Sequence, residues 1–206
     1  ITCHTAGGLA NAALSGGNVP AAGRPFLADP ILDPINPPLT FAPAADSYVS
    51  LASPTTNYGT NAALRVNGGS SPYTSFLRFN VSGLSSTVLS AKLRLYVTND
   101  STSGGMFYGI PAAGWSEATT WNTRPQINGS PLFTQGAAAL KSVVEVDVAS
   151  VVAGNGSYDF AIVAPAKNTD TLGYAASEAS SASTRPQLAI TGSQPKRHGH
   201  AHANSG

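Results

Sequence analysis

Cysteine is nearly missing from this chain. Cys3 is the single one, so no internal disulfide can form, and the lone thiol is either free or paired to another molecule. A chain of 206 residues is nevertheless long enough to bury a stabilising core without covalent staples. Charge is scarce too. Asp, Glu, Lys and Arg make up 10% of the residues, against about 25% in ordinary globular domains. The formal net charge is +1, too small to pull the chain toward nucleic acid. No run of about 18 apolar residues occurs, which excludes a helical membrane span. Helical periodicity is almost absent, with 137–141 and 149–153 expected to make a turn or so each. There is no P-loop, Rossmann fingerprint, Gly-x-Ser-x-Gly elbow or His-Glu-x-x-His.

Small polar residues fill the space that charge leaves empty. That composition, together with a first residue that is Ile1 rather than Met, leads us to expect a secreted or cell-surface protein whose signal peptide has been removed. Asn-x-Ser/Thr sequons stand at Asn80, Asn99, Asn128 and Asn155 and would carry glycans where the source has that machinery.

Residues 1–42 are expected to form an extended arm. Six prolines fall between Pro20 and Pro38, too dense for a helix interior or a central strand. The arm is not merely solvated, because Phe26, Leu27, Ile31, Leu32, Ile35, Leu39 and Phe41 stud it. They suit packing on this subunit or on a neighbouring copy. The last residues, 193–206, form a polar tail with His198, His200 and His202. Those imidazoles are candidate ligands for Zn, Cu or Ni, but a closed zinc site wants four ligands on a defined scaffold. Lys196 and Arg197 beside them suit an acidic surface.

Residues 43–192 read as many short strands between turn signals. Expected strands are 46–51, 63–66, 75–81, 90–99, 106–110, 143–148, 158–163, 172–175 and 187–191. Strand side chains alternate with period two. Leu77, Phe79 and Val81 therefore share one face, as do Leu93, Leu95 and Val97. The expected fold is all-β, an antiparallel two-sheet sandwich or jelly roll with an extended Pro-rich arm.

Several blocks carry a family resemblance. In order they are DSYVSLASPTTNYGTNAALRV (46–66), SFLRFNVSGL, SAKLRLYVTN, WSEATTWNTRP, VVEVDV, GNGSYDFAIV, GYAASEA and RPQLAI. Together they resemble the DNRLRE domain family, which overlaps carbohydrate-binding module family 96. The resemblance spans about 150 residues, one domain. It implies a jelly-roll-like sandwich in secreted or cell-surface proteins. It also implies non-catalytic binding of polysaccharides, acidic glycans such as alginate among them. The arm and the His tail lie outside the family pattern.

The candidate binding surface lies opposite the aliphatic faces. Arg65, Phe76, Arg78, Lys92, Arg94 and Tyr96 are expected there as one basic-aromatic face. A guanidinium pairs bidentately with a carboxylate such as that of a uronic acid, and aromatic rings offer flat apolar area to a sugar. The competing reading is that Asp46, Glu145 and Asp147 neutralise these cations as cross-strand pairs. Trp115 is a further stacking candidate, while Trp121 is expected in the core. Glu117 and Glu178 are not expected to form a hydrolytic pair, and no enzyme activity is expected. No cofactor is expected, save a calcium ion held by loop oxygens near Asp46 or Asp170.

Two functions compete at this level. One is a non-catalytic polysaccharide- or matrix-binding module. The other is a structural subunit of an extracellular filament or surface layer. There the arm would add a strand to the next copy, giving a homo-oligomer or polymer.

Overall fold

The computed structural model of the chain describes residues 37–111 and 114–193. Cys3, Phe26, Leu27, Ile31, Leu32, Ile35, His198, His200 and His202 lie outside the described residues. The elements are β1 (Leu39–Phe41), β2 (Ala45–Ser50), β3 (Ala63–Val66), β4 (Tyr73–Val81), β5 (Val88–Asn99) and β6 (Gly105–Ile110). They continue with β7 (Phe133–Gln135), β8 (Val143–Asp147), β9 (Gly156–Val163), β10 (Leu172–Ala175) and β11 (Gln187–Gly192). Among the described residues helix is confined to two single 3₁₀ turns, Trp121–Thr123 and Ala182–Thr184.

The strands form two antiparallel sheets facing each other. One runs β2-β4-β9-β6-β7. The other is built on the long β5, which pairs β8 along one side. Along its other side β5 pairs β11 and then β10, and these carry β1 and β3 in turn. The expected alternation is realised in both opening strands. Leu77, Phe79 and Val81 of β4 and Leu93, Leu95 and Val97 of β5 all enter one core, with Val144, Val146, Phe160, Ile162, Leu188 and Ile190. Each such side chain contributes about 1.5–3 kcal/mol by leaving water.

Two strands were not expected. β7 is short and carries the exposed Phe133. β1 is the end of the stretch read as arm. It pairs β11 through Leu39↔Ile190 and Phe41↔Leu188. Phe41 packs against the main core of its own chain, and Leu39 stays exposed. Pro37 and Pro38 sit just before it, where a sheet edge tolerates residues without a backbone N–H.

Candidate functional site

The common basic-aromatic face expected from the sequence does not form. β4 and β5 belong to different sheets, and both turn their aliphatic rows inward. Their polar rows therefore point away from each other, on opposite sides of the sandwich. Arg78 looks out from the β4 sheet. Lys92, Arg94, Tyr96 and Arg65 look out from the β5 sheet.

Three of the four expected cations already hold carboxylates. On β5 the strand register sets Lys92 opposite Asp147 and Arg94 opposite Glu145. The pairs close at 2.9 Å and 2.7 Å with both partners well exposed. Such pairs add only about 0–1 kcal/mol to stability, but they cancel the positive charge of this face. The Lys92 ammonium holds the Asp147 carboxyl below the usual carboxylate range. Tyr96 is half-buried beside Arg94, over a cleft of about 30 Å³, room for about one water molecule.

Arg78 is an internal clamp. Its Nε donates to Asp159 Oδ1 at 2.7 Å and a terminal nitrogen to Oδ2 at 2.8 Å. Asp159 is buried, and register places it opposite Arg78 on β9. The guanidinium also lies 5.0 Å from the Trp115 ring centroid and donates to the Trp115 carbonyl at 3.1 Å. Arg78 thereby fastens the loop after β6 onto the sheet.

Phe76 and Trp115, offered to a sugar by the sequence, are 0% and 5% exposed. Their rings meet at 5.8 Å within a small second core with Val49, Ile110 and Ala161. Both are packing residues. The Trp115 indole N–H finds no acceptor among the described residues.

Trp121 packs against this second core, as expected, but does not close over it. It is only partly buried and lines an open cavity of about 320 Å³ on the outward face of the β4 sheet. Thr74 of β4, Tyr108 of β6 and Val163 of β9 form the floor, and Arg124, Gln126 and Ile127 form the rim. The local geometry follows from WNTRP. In a 3₁₀ turn, residues three apart stand one above the other. Arg124 therefore sits above Trp121, its guanidinium carbon 3.8 Å from the ring centroid, and it also donates to the Trp121 carbonyl. Pro125 restricts Arg124 to extended backbone, φ −61° and ψ 149°, which ends the turn there. Among the described residues no carboxylate pairs with Arg124. Burial pulls its pKa down, with no opposing contribution. The Tyr108 hydroxyl reaches Met106 Sδ, at 4.0 Å, and no other hydrogen-bond partner among the described residues.

Arg65 is the fourth cation. It is exposed, lies 5.6 Å from the Tyr48 ring centroid, and pairs with no carboxylate among the described residues.

One of the three acids expected to pair with these cations does not. Asp46 does not pair with a cation. It is 1% exposed and accepts from the Ser177 N–H at 2.8 Å. Ser177 Oγ lies 3.1 Å from Asp46 Oδ1 and 2.7 Å from Glu178 Oε1. One hydroxyl proton cannot serve two carboxylates at once, so the arrangement favours a second proton shared within the pair. Burial, reinforced by the Glu178 charge and opposed by the Ser177 N–H, pushes the Asp46 pKa from 3.8 to about 7. Asp46 therefore keeps its proton through the mildly acidic range and releases it around pH 7. Asp170 Oδ2 accepts from the Thr102 N–H at 3.3 Å. Glu117 lies against the Asn57–Gly59 turn, its carbonyl bonded to the Asn57 amide. Among the described residues no three His, Cys, Asp or Glu side chains converge on a metal position, and no helix is long and apolar enough to cross a membrane. All four sequon residues, Asn80, Asn99, Asn128 and Asn155, are exposed. The Asn99 and Asn155 amides bond the Thr171 and Leu84 carbonyls.

The family model described as carbohydrate-binding module family 96 matches residues 37–192, a span that takes in every strand from β1 to β11. No curated protein matches the chain.

Proposed function

The chain belongs to carbohydrate-binding module family 96, and on that premise we propose that it binds an acidic polysaccharide in the Trp121–Arg124 cavity. One observation carries this reading. Arg124 is a partly desolvated cation fixed over an indole, and no carboxylate among the described residues answers it. A guanidinium removed from water without a counter-charge is unfavourable, so an arriving anion recovers free energy there. Its planar fork suits the carboxylate of a uronic acid, bound through two parallel hydrogen bonds. Trp121, Ile127 and Val163 supply an apolar wall for the ring hydrogens of a pyranose. The Tyr108 hydroxyl and the Gln126 amide are placed for its hydroxyl groups. All of this stands on three strands of one sheet, which gives the site a rigid base. Nothing in this mechanism makes or breaks a bond; the module holds its ligand.

The test is affinity electrophoresis in gels containing polygalacturonate, alginate or a neutral glucan. The acidic gels should retard the protein and the neutral one should not. Arg124→Gln removes charge-assisted hydrogen bonds of about 1.5–3 kcal/mol, which is about a tenfold to hundredfold loss of affinity. Equal retardation of this variant and the wild type in every gel would refute the assignment.

A further inference from the structure

We propose that the outward face of the β5 sheet carries a second, separate site for a carboxylated sugar, in a trough between Arg65 and Asn99. Strand register builds it. Gly173 of β10 stands between Arg65 of β3 and Asn99 of β5 in one outward-facing row. A residue without a side chain at the centre of that row leaves a hollow. A Cβ added at Gly173 would lie 2.8 Å from Thr98 Oγ1 and 3.0 Å from Asn99 Cβ, so any other residue would fill it. The register then shifts between Gly173 and Tyr174. The resulting bulge sets both Thr98 and Asn99 against the single Gly173, an arrangement that re-aims side chains and recurs beside binding sites. The trough has a volume of about 360 Å³, and Tyr73 of β4 also lines it.

The chemistry of the walls is complementary to a uronic acid. The exposed Arg65 guanidinium has no carboxylate partner among the described residues. It is steadied over Tyr48, whose ring stacks on Tyr58 at 4.3 Å and meets Tyr73 edge-on at 5.7 Å. Facing it, the Thr98 hydroxyl has no hydrogen-bond partner among the described residues. The Asn99 amide nitrogen is spent on the Thr171 carbonyl, which leaves Oδ1 as an acceptor. A carboxylate engages Arg65 while ring hydroxyls meet Thr98 and Asn99. Lys92 and Arg94, further along the same face, are already matched by Asp147 and Glu145 and add nothing comparable.

The ligand class rests on the reading given above for Arg124; the second location does not. The two sites share a boundary in the chain, since Tyr73 lines one and Thr74 the other. They nevertheless open on opposite sheets. One module therefore holds two polysaccharide chains rather than two stretches of a short oligomer.

Calorimetry with trigalacturonate and trimannuronate, each titrated separately, tests this. Wild type should bind two trimers per chain. Arg65→Gln should bind one, and the surviving site should keep its affinity within about twofold, as distant sites do. Thr98→Asp, which leaves Arg65 in place but gives it an internal partner, should reproduce that loss at an unchanged melting temperature. Polygalacturonate mixed with wild type should become turbid through cross-linking, and either Arg65→Gln or Arg124→Gln should abolish the turbidity. A stoichiometry that Arg65→Gln and Thr98→Asp leave unchanged overturns the second site while the Arg124 reading stands. A single site lost only with Arg65 overturns the Arg124 reading and keeps the trough. Wild-type protein that binds neither trimer overturns both.

Discussion

Replacing Asp46 by Asn should flatten the response of stability to pH. Asp46 is buried opposite Leu77, at the start of β2. Its carboxyl is raised to about 7, chiefly by burial, from the 3.8 of an exposed side chain. The folded state thus keeps a proton that the unfolded chain releases earlier. Wherever the folded state binds more protons, stability falls as pH rises. The wild type should therefore lose stability between about pH 4 and about pH 7 and level off above, once both states are ionised. The interval from 3.8 to about 7, at about 1.4 kcal/mol per pH unit, sets a ceiling of about 4 kcal/mol. Asn reproduces the protonated pattern. Its carbonyl accepts the Ser177 N–H, and its amide donates to Ser177 Oγ, which then donates to Glu178. Urea denaturation across about pH 4.5 to 8 would measure this. The variant should hold a level profile through that window and exceed the wild type at the alkaline end. Parallel profiles, or a variant less stable than wild type at the alkaline end, would refute the proton assignment.

Other outcomes follow from the same contacts. Asp159→Asn leaves the Arg78 clamp without its counter-charge and should cost about 3–5 kcal/mol, with a red shift in tryptophan fluorescence as the Trp115 segment loosens. Trp115→Phe, which discards an N–H that has no acceptor, should cost less than about 1.5 kcal/mol in the same denaturation assay. Phe160→Ala in the shared core should cost about 3–5 kcal/mol. Glu145→Gln combined with Asp147→Asn should change stability by less than about 1 kcal/mol yet increase retardation in a polygalacturonate gel, because it frees Arg94 and Lys92. Retardation of the wild type should weaken as salt shortens the reach of charge, to about 3 Å at 1 M; salt-independent retardation would count against a carboxylate ligand.

The strands were legible because β4 and β5 write their burial into sequence at period two. What period two cannot write is which sheet a strand joins. Consecutive strands pair or neighbour about two-thirds of the time, yet β4 and β5 fall to opposite sheets, so Arg78 and Arg94 never share a surface. That assignment depends on partners far along the chain, β9 for one and β11 for the other. The buried acids were hidden for a related reason. Asp is seldom fully buried without a partner, and the partners of Asp46 and Asp159, Ser177 and Arg78, lie 131 and 81 residues away. Arg124 was readable in principle. Trp121 and Arg124, three apart and followed by Pro125, mark a tight turn that stacks them, whereas expecting Trp121 in the core hid its neighbour. β1 was missed because the prolines before it argue against a strand, which holds for sheet interiors and not for edges.

The order of strands has a consequence for how the chain reaches this state. β9 inserts between β4 and β6, while β10 and β11 complete the flank of β5. Neither sheet can close until the last third of the chain has emerged. The aliphatic rows of β4 and β5 are made early and must wait, open to one another and to other chains. Pairings that span so much sequence form slowly, because a long loop must be closed before any contact offsets it. Truncation before β11 would therefore leave no smaller folded module.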